Sequence, residues 1–100
     1  MENCECEHRH KHTPRDAEEV RQLKNRLNRM AGQLGGISRM LDENRYCGDI
    51  LIQVAAVEKA LQGFGCLILQ EHMRTCMVED IRAGRTETVD EAIELIKKLK

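Results

Sequence analysis

A histidine and a cysteine stand four residues apart in the stretch EHMRTC, as His72 and Cys76. On a helix, two side chains with this spacing lie on one face, one turn apart, and can bind one metal ion together. Two ligands make an incomplete metal site, so a third has to be found. The five cysteines favour metal or redox chemistry over a disulfide framework in a reducing compartment.

Cys47 is the strongest candidate for the third ligand. It stands in the polar stretch DENRYCGD, which we interpret as a turn that leads into a helix. The backbone N–H groups and the dipole of a helix N-terminus favour thiolate, which is the form that binds metal. Cys66 lies within an apolar run, where a cysteine usually behaves as a small hydrophobic side chain.

Residues 1–13 are rich in cysteine, histidine and charge, and we predict that they form a flexible tail. Their candidate ligands alternate with other residues and would project to one side of an extended chain. Such tracts can bind metal, which makes this segment a candidate accessory site. The ligands are Cys4, Cys6, His8, His10 and His12.

The composition predicts an all-α protein. Aromatic residues make up 2% of the chain, so the core must be aliphatic, and a single proline with 33% charged residues favours helices. We predict one helical domain over 14–100 with two long helices and a short one. The helices should cover roughly 15–44, roughly 49–81 and the stretch DEAIELIKKL at 90–99.

Apolar residues recur at alternating steps of three and four from Val20 to Leu41, which is typical of one long helix. Gly32, Gly35 and Gly36 each cost about 1 kcal/mol in a helix. The pattern keeps its phase across them, so we expect a continuous helix; the alternative is a break at Gly35-Gly36. The pair Thr13-Pro14 is a good helix start, with the cap before a proline in the first turn.

The second helix is apolar on almost every side, because residues 50–69 include only four polar residues. A membrane span is disfavoured, since Glu58 and Lys59 near the middle would each cost about 2.5–3.5 kcal/mol at a bilayer centre. A helix of this kind must be buried on several sides, and one short partner helix cannot cover it. We therefore expect the chain to form oligomers.

An antiparallel dimer would supply the third ligand. Cys47 and His72 are 25 residues apart, or about 37 Å along a continuous helix, so one chain cannot bring them together. A second copy, related by a two-fold axis near residues 60–61, places Cys47 of one chain beside His72 and Cys76 of the other. One imidazole and two thiolates satisfy Cu(I), whereas Zn(II) normally takes a fourth ligand.

The first helix carries a basic face. Residues 21–40 contain five arginines and lysines and no acidic residue, although the whole chain has a net charge of −1. Such a face can neutralise phosphates of DNA; the alternative is a solvated helix surface. The predicted DNA contacts are Lys24, Arg26, Arg29 and Gln33.

The stretch RLNRMAGQLGGISRMLDENRYCGDILIQVAAVEKAL, followed by LILQEHMRTC, resembles the copper-sensing repressor family, CsoR and its RcnR-like relatives. The resemblance covers about residues 20–99. Its most specific parts are R-x-x-G-Q-x-x-G-I from Arg29, R-Y-C ending at Cys47, and H-x-x-x-C from His72.

The resemblance implies an all-helical antiparallel dimer, with a four-helix bundle between its subunits, that pairs into a tetramer. It also implies that the metal-free protein binds operator DNA, and that Cu(I) at Cys47, His72 and Cys76 releases it and switches on efflux genes. In copper members a tyrosine and a glutamate link the metal-binding histidine to the last helix. Tyr46 matches directly, and Glu91 matches after a shift of one residue from Ala92.

Glu91 has a second interpretation, because Thr88-Val89-Asp90-Glu91 fits a helix capping box. Alternatives also remain for the inducer. Nickel- and cobalt-sensing members place a histidine where Cys76 stands or add an N-terminal histidine ligand. The matching N-terminal position here falls near Arg15, which favours copper over Ni(II), although His12 lies close by. Zn(II) stays an alternative inducer. Persulfide-sensing members keep both cysteines but lack the histidine. A cytosolic copper buffer that binds no DNA is a further alternative, against which the basic face argues.

The polar start of the chain lacks the apolar segment of a signal peptide, which predicts a cytoplasmic protein. The sequence contains no evident pair of catalytic carboxylates, nucleophile–base pair or phosphate-binding loop. We therefore expect no enzymatic activity. The expected partners are operator DNA and further copies of the chain, and no membrane.

Overall fold

A computed structural model describes residues 14–99, and every element in this range is a helix. The all-α prediction is therefore confirmed. The four helices are α1 (Ala17–Asp42), α2 (Cys47–Arg74), α3 (Cys76–Arg82) and α4 (Thr88–Lys98). The predicted tail at 1–13, with its five candidate ligands, lies outside the described residues.

The described chain divides into two compact units, one of residues 17–67 and one of residues 14–16 with 68–99. In the first unit, α1 runs without interruption through Gly32, Gly35 and Gly36, so the alternative of a break at Gly35-Gly36 is wrong. Its first turn is acidic and its last turn basic, which suits the helix dipole. The helix begins at Ala17, two residues after the predicted start near residue 15, and Pro14 lies outside it. Thr13 lies outside the described residues.

The turn after α1 is closed by a Schellman motif. Asn44 adopts a left-handed conformation with φ of 54°, and its N–H donates to the carbonyl of Leu41 at 3.2 Å. The N–H of Arg45 donates to the carbonyl of Met40 at 2.9 Å. These two bonds satisfy carbonyl groups at the end of α1, and the turn that they close leads into α2. Helix α2 then begins at Cys47, two residues earlier than Asp49.

Helix α2 contains no buried residue in the single chain. Large apolar side chains such as Leu51, Ile52 and Leu61 are 64%, 65% and 55% exposed. The helical stretch Cys47–Arg82 is long and apolar enough to cross a membrane, judged by length and composition alone. The core of the 17–67 unit is accordingly small, with Met30 as its buried side chain. This exposure is what the sequence analysis expected of a helix that other chains must cover.

The predicted second helix is divided at Thr75 into α2 and α3. The Thr75 hydroxyl donates to the Glu71 carbonyl at 2.8 Å, in addition to the backbone bond from Thr75 N to the same oxygen at 3.0 Å. This hydroxyl bond back to residue i−4 is a known cause of helix bending. The division of the helix is thus explained by the hydroxyl bond of Thr75. The sequence has no proline or glycine at this position that would predict it.

Helix α3 ends in a second Schellman motif, with Gly84 at φ of 87° and Arg85 N donating to Asp80 O at 2.8 Å. The chain then turns back, and α3 packs against α4. Ala92 of α4 is buried, at 3% exposure.

The predicted capping box at the start of α4 is wrong. The N-cap residue is Glu87, which makes no side-chain capping bond, and Thr88 is the first helical residue. The Thr88 side chain is buried, and its Oγ1 atom has no hydrogen-bond partner among the described residues. Because Thr88 lies inside the helix, its hydroxyl is not available to the exposed backbone N–H groups of the first turn.

Candidate metal centre and nucleic-acid interface

The structure places Cys47 at the first residue of α2, with its side chain exposed. The preceding residue holds this start: the Tyr46 carbonyl accepts hydrogen bonds from Asp49 N at 3.1 Å and Ile50 N at 3.2 Å. An exposed thiol at a helix N-terminus is accessible to a metal ion and to a ligand from another chain.

The contact between Gly48 and Tyr46 was not anticipated from the sequence. A Cβ atom on Gly48 would lie 2.6 Å from Cε2 of the Tyr46 ring, so the ring occupies the space that any other residue would fill. The tyrosine is otherwise 75% exposed. The glycine directly after Cys47 therefore lets the Tyr46 ring lie against the backbone of the candidate metal-binding turn.

His72 is half-buried near the end of α2, and its Nε2 atom is buried without a hydrogen-bond partner among the described residues. Leaving such an atom unpaired costs about 1–3 kcal/mol. A metal ion bound at Nε2 would remove that cost, because imidazole nitrogen is a common metal ligand. The chemistry of this residue fits the role that the sequence analysis gave it.

Cys76 is the first residue of α3 and is half-buried. The Thr75 hydroxyl lies 3.6 Å from its sulfur and 2.8 Å from the Glu71 carbonyl oxygen. The hydroxyl has one hydrogen to donate and two acceptors within reach. Thr75 thus contacts one candidate ligand and also controls the helix direction between His72 and Cys76. No role was predicted for Thr75 from the sequence.

One chain does not complete the site. Within residues 14–99, no group of three or more His, Cys, Asp or Glu side chains is placed to hold a metal ion. Helix α2 is continuous from Cys47 to Arg74, which is the condition under which the sequence analysis assigned Cys47 to a second chain. Cys66, which we expected to act as a small apolar side chain, is exposed in the single chain.

Glu91 is exposed on the first turn of α4, and the neighbouring Ala92 is buried. Glu91 is therefore not part of a capping box, because Thr88 does not cap the helix. The backbone N–H of Glu91 donates to the Glu87 carbonyl at 3.2 Å, as in an ordinary helical turn. Its link to the metal-binding histidine stays a prediction, as does that of Tyr46.

Three of the four predicted DNA contacts converge. Arg26, Arg29 and Gln33 of α1 line a cleft of about 450 Å³, which is completed by Met30 and by Ala60 of α2. Lys24 is exposed on the same helix but does not line the cleft. Met30 and Ala60 stand at equal distances in sequence from Arg45, on either side of the turn that joins α1 to α2.

The charges of this basic face are available to an external anion. Lys24, Arg26 and Arg29 are exposed, and none of them forms an ion pair with another described residue. Arg21 differs, since it pairs with Glu18 one turn earlier. The unpaired guanidinium and ammonium groups are the ones that could neutralise phosphates.

A further contact near His72 was not predicted. Nε of Arg15 donates to Oε1 of Glu71 at 2.7 Å, and the two side chains are 30% and 15% exposed. The pair joins the segment before α1 to the residue directly preceding His72. The sequence analysis considered Arg15 only as a position that could not bind metal.

Comparisons with known proteins bear on this arrangement. A family model described as metal-sensitive transcriptional repressor matches residues 19–98. The chain is 35% identical over 85 residues to the copper-sensing transcriptional repressor CsoR of Bacillus subtilis (strain 168), and the match covers 84% of each chain.

Two solved structures are similar. One is the copper-sensing repressor CsoR with Cu(I) from Geobacillus thermodenitrificans NG80-2, with a TM-score of 0.82, 37% identity and coverage of 88% of this chain and 93% of that one. The other is the nickel-responsive transcriptional regulator InrS, with a TM-score of 0.69, 36% identity and coverage of 91% and 100%. Both support the helical fold described above.

Proposed function

The chain belongs to the family of metal-sensitive transcriptional repressors, and on that premise we propose that it is a copper-responsive repressor. Its metal-free form binds operator DNA. Binding of Cu(I) by Cys47, His72 and Cys76 releases the DNA, so that copper efflux or resistance genes are expressed. The resemblance found in the sequence is confirmed at the family level. In this proposal the protein is a cytoplasmic regulator and not an enzyme.

The observation that carries the proposal is the buried Nε2 atom of His72, which has no partner among residues 14–99. It lies four residues before Cys76, whose sulfur is half-buried. Cu(I) needs no ligands beyond two thiolates and one imidazole, and its binding would link these three side chains. The similarity to two copper-sensing CsoR proteins supports copper as the inducer.

We propose that the third ligand, Cys47, comes from a second chain paired antiparallel along α2. The exposed apolar side chains of α2 require a partner. Two such chains would form an intersubunit four-helix bundle with two equal sites, and dimers would pair into a tetramer. A bilayer is a poor alternative partner, since Glu58 and Lys59 are exposed in the middle of the helix.

Operator DNA is proposed to lie against the basic face of α1. Arg26, Arg29 and Gln33 line one cleft, and Lys24 adds a positive charge beside it. Arginine can contact phosphates or bind guanine with two hydrogen bonds, and glutamine can pair with adenine. The affinity for DNA should fall steeply with salt, because each phosphate contact releases counterions.

The chain's own geometry suggests how the two sites communicate. Cys47 follows the turn that ends the basic helix α1, and His72 and Cys76 stand on either side of the Thr75 bend that leads into α3 and α4. Fixing these three side chains in one site constrains both the turn and the bend. Release of DNA requires that the constrained form bind DNA more weakly, by a coupling free energy of about 1–3 kcal/mol.

Fluorescence anisotropy of labelled DNA from the region upstream of the gene tests this function. The metal-free protein should bind at low salt, and about one Cu(I) per chain should release the DNA. Cys47→Ala should bind DNA and fail to respond, whereas Cys66→Ala, the matched control, should respond like the wild type. Tight binding of Cu(I) with no binding to any candidate operator would instead indicate a copper buffer.

Nickel is the second candidate inducer, because the similarity to InrS is of comparable identity. Parallel titrations with Ni(II), Zn(II) and a persulfide donor separate the alternatives. His72→Ala should abolish the response to Cu(I). A response to persulfide that survives His72→Ala would instead make Cys47 and Cys76 the sensor of a sulfur species.

A further inference from the structure

Thr75 stands between two candidate ligands, His72 near the end of α2 and Cys76 at the start of α3. Its backbone departs from α-helix geometry, with φ of −114° and ψ of −75°, against about −63° and −42° in a regular helix. On a straight helix, side chains four residues apart are neighbours on one face. Here the two ligands are carried by two helices, and the relation between them depends on the single residue at which the helices meet.

The hydroxyl group of Thr75 has two acceptors within reach. Its Oγ1 atom lies 2.8 Å from the Glu71 carbonyl oxygen and 3.6 Å from Sγ of Cys76. The bond to the carbonyl of residue i−4 is the kind that bends helices. The contact with the sulfur is of a second kind, because groups that hydrogen-bond to a metal ligand fix its orientation. One hydroxyl therefore acts both on the helix that carries Cys76 and on its thiol.

Glu71, which accepts the hydroxyl bond, is held at both its backbone and its side chain. Its carbonyl oxygen also accepts a bond from the backbone N of Thr75 at 3.0 Å, so two donors serve its two lone pairs. Its carboxylate is 15% exposed and accepts a bond from Nε of Arg15 at 2.7 Å. His72 directly follows this residue. The α2 side of the bend is thus the more firmly held, and the Thr75 hydroxyl acts on the side where Cys76 begins α3.

We propose that Thr75 is a positioning residue of the metal centre, whose hydroxyl orients Cys76 relative to His72. This inference rests on the proposed copper function. The bond to the Glu71 carbonyl maintains the bend between the two helices, and the contact with the Cys76 sulfur fixes the direction of the thiol. Thr75 itself does not bind the ion. Its contribution is to the affinity of the site for Cu(I), since replacing a residue that supports a metal ligand typically lowers metal affinity by about 10–100-fold.

Anaerobic competition with a chromophoric Cu(I) chelator tests this role in the full-length protein. Thr75→Val keeps the branched shape and removes the hydroxyl, so it should bind Cu(I) about tenfold more weakly. Thr75→Ser keeps the hydroxyl and should bind like the wild type. Thr86→Val, at an exposed threonine in the turn before α4, is the matched control and should also bind like the wild type. Unchanged affinity in Thr75→Val, or an equal loss in Thr75→Ser, would overturn the proposal.

Thr75→Ala keeps the comparison possible if valine disturbs the helix, because alanine is the best helix former and also lacks the hydroxyl. It should show the same loss of Cu(I) affinity as Thr75→Val. A crystal structure of the metal-free Thr75→Ala protein tests the bend without any metal. Residue 75 should move towards about −63° and −42°, the values of a regular helix. Backbone angles that stay as they are in the wild type would show that the hydroxyl does not maintain the bend, and would overturn the proposal.

A double-mutant cycle separates positioning of the thiol from a general loss of stability. If Thr75 acts through Cys76, then Thr75→Val should have no further effect on Cu(I) affinity in the Cys76→Ala background. An equal loss in both backgrounds would mean that Thr75 acts elsewhere, and would overturn the proposal. Failure of the repressor function is distinguishable, because it appears as DNA that Cu(I) does not release from the wild type while the difference in Cu(I) affinity between Thr75→Val and Thr75→Ser persists.

Discussion

The burial of the His72 Nε2 atom is energetically unfavourable in the metal-free chain. Its Nε2 atom is removed from water, yet no described group bonds to it. Buried polar atoms are usually paired, so an unpaired one requires an explanation, of which a bound ion is one. In the proposed function, this unpaired Nε2 atom is the one that binds Cu(I).

Replacing His72 with leucine should raise the free energy of unfolding of the metal-free protein by about 1 kcal/mol, because the unpaired nitrogen disappears while most of the packing volume remains. The same variant should lose high-affinity Cu(I) binding. Urea unfolding and a chelator competition measure the two effects. A large loss of stability would mean that Nε2 has a partner in the assembled protein.

Tyr46 offers a spectroscopic view of the same site, because the chain has one tyrosine and no tryptophan. Gly48→Ala should push the ring away, since the new Cβ would lie 2.6 Å from Cε2. We expect altered tyrosine emission and anisotropy with little change in helix content by circular dichroism. Identical emission in the wild type and the variant would show that the ring does not rest on Gly48.

At the scale of elements, the sequence predicted what depends on pattern and missed what depends on single hydrogen bonds. The apolar steps from Val20 to Leu41 predicted an unbroken α1, and the polar stretch before Cys47 predicted a turn. The division at Thr75 was missed, because a threonine is equally compatible with a straight helix when its hydroxyl bonds elsewhere. The Arg15–Glu71 pair was missed because no local pattern reports a contact over 56 residues.

The start of α4 shows the same limit. Thr88-Val89-Asp90-Glu91 matches the capping-box pattern, but the pattern does not specify at which residue the helix begins. In the structure the helix starts one residue earlier than a capping threonine requires, and the Thr88 side chain is buried. The candidate metal site comes from residue type and spacing and stays a prediction, whereas the contacts around its residues required coordinates.

The variant Thr88→Val distinguishes a capping threonine from a buried, unpaired one by the sign of the change in the free energy of unfolding. Because the Thr88 hydroxyl is buried and unpaired, its removal should stabilise the protein by about 1 kcal/mol. If the threonine capped the helix, its loss would destabilise the protein by about the same amount. Thermal and urea unfolding of the metal-free protein decide between them, with Thr86→Val as an exposed control.

At the scale of the whole molecule, the single chain has too little interior to be stable alone. Buried apolar side chains within residues 14–99 are Met30 and Ala92, while large apolar residues along α2 remain exposed. In the proposed dimer, contact with a second copy of the chain supplies the free energy that stabilises α2.

The unfolding temperature should accordingly rise with protein concentration, because dissociation and unfolding are linked. Leu61→Glu, which places a charge on the exposed apolar side of α2, should shift the protein towards unfolded monomers. Calorimetry at several concentrations and sedimentation velocity measure both effects. A transition that does not depend on concentration, in a protein that sediments as a folded monomer, would contradict this expectation.

The absence of any buried residue in α2 of one chain also bears on the cell's copper threshold. In the proposed dimer each metal site takes ligands from two chains, so a lone chain is neither folded nor able to sense. At concentrations well below the dissociation constant, the number of working sensors grows with the square of the number of chains. Halving the expression of the gene would then remove about three quarters of the sensors, by that square law. The gene's dosage would set the copper level at which the cell responds.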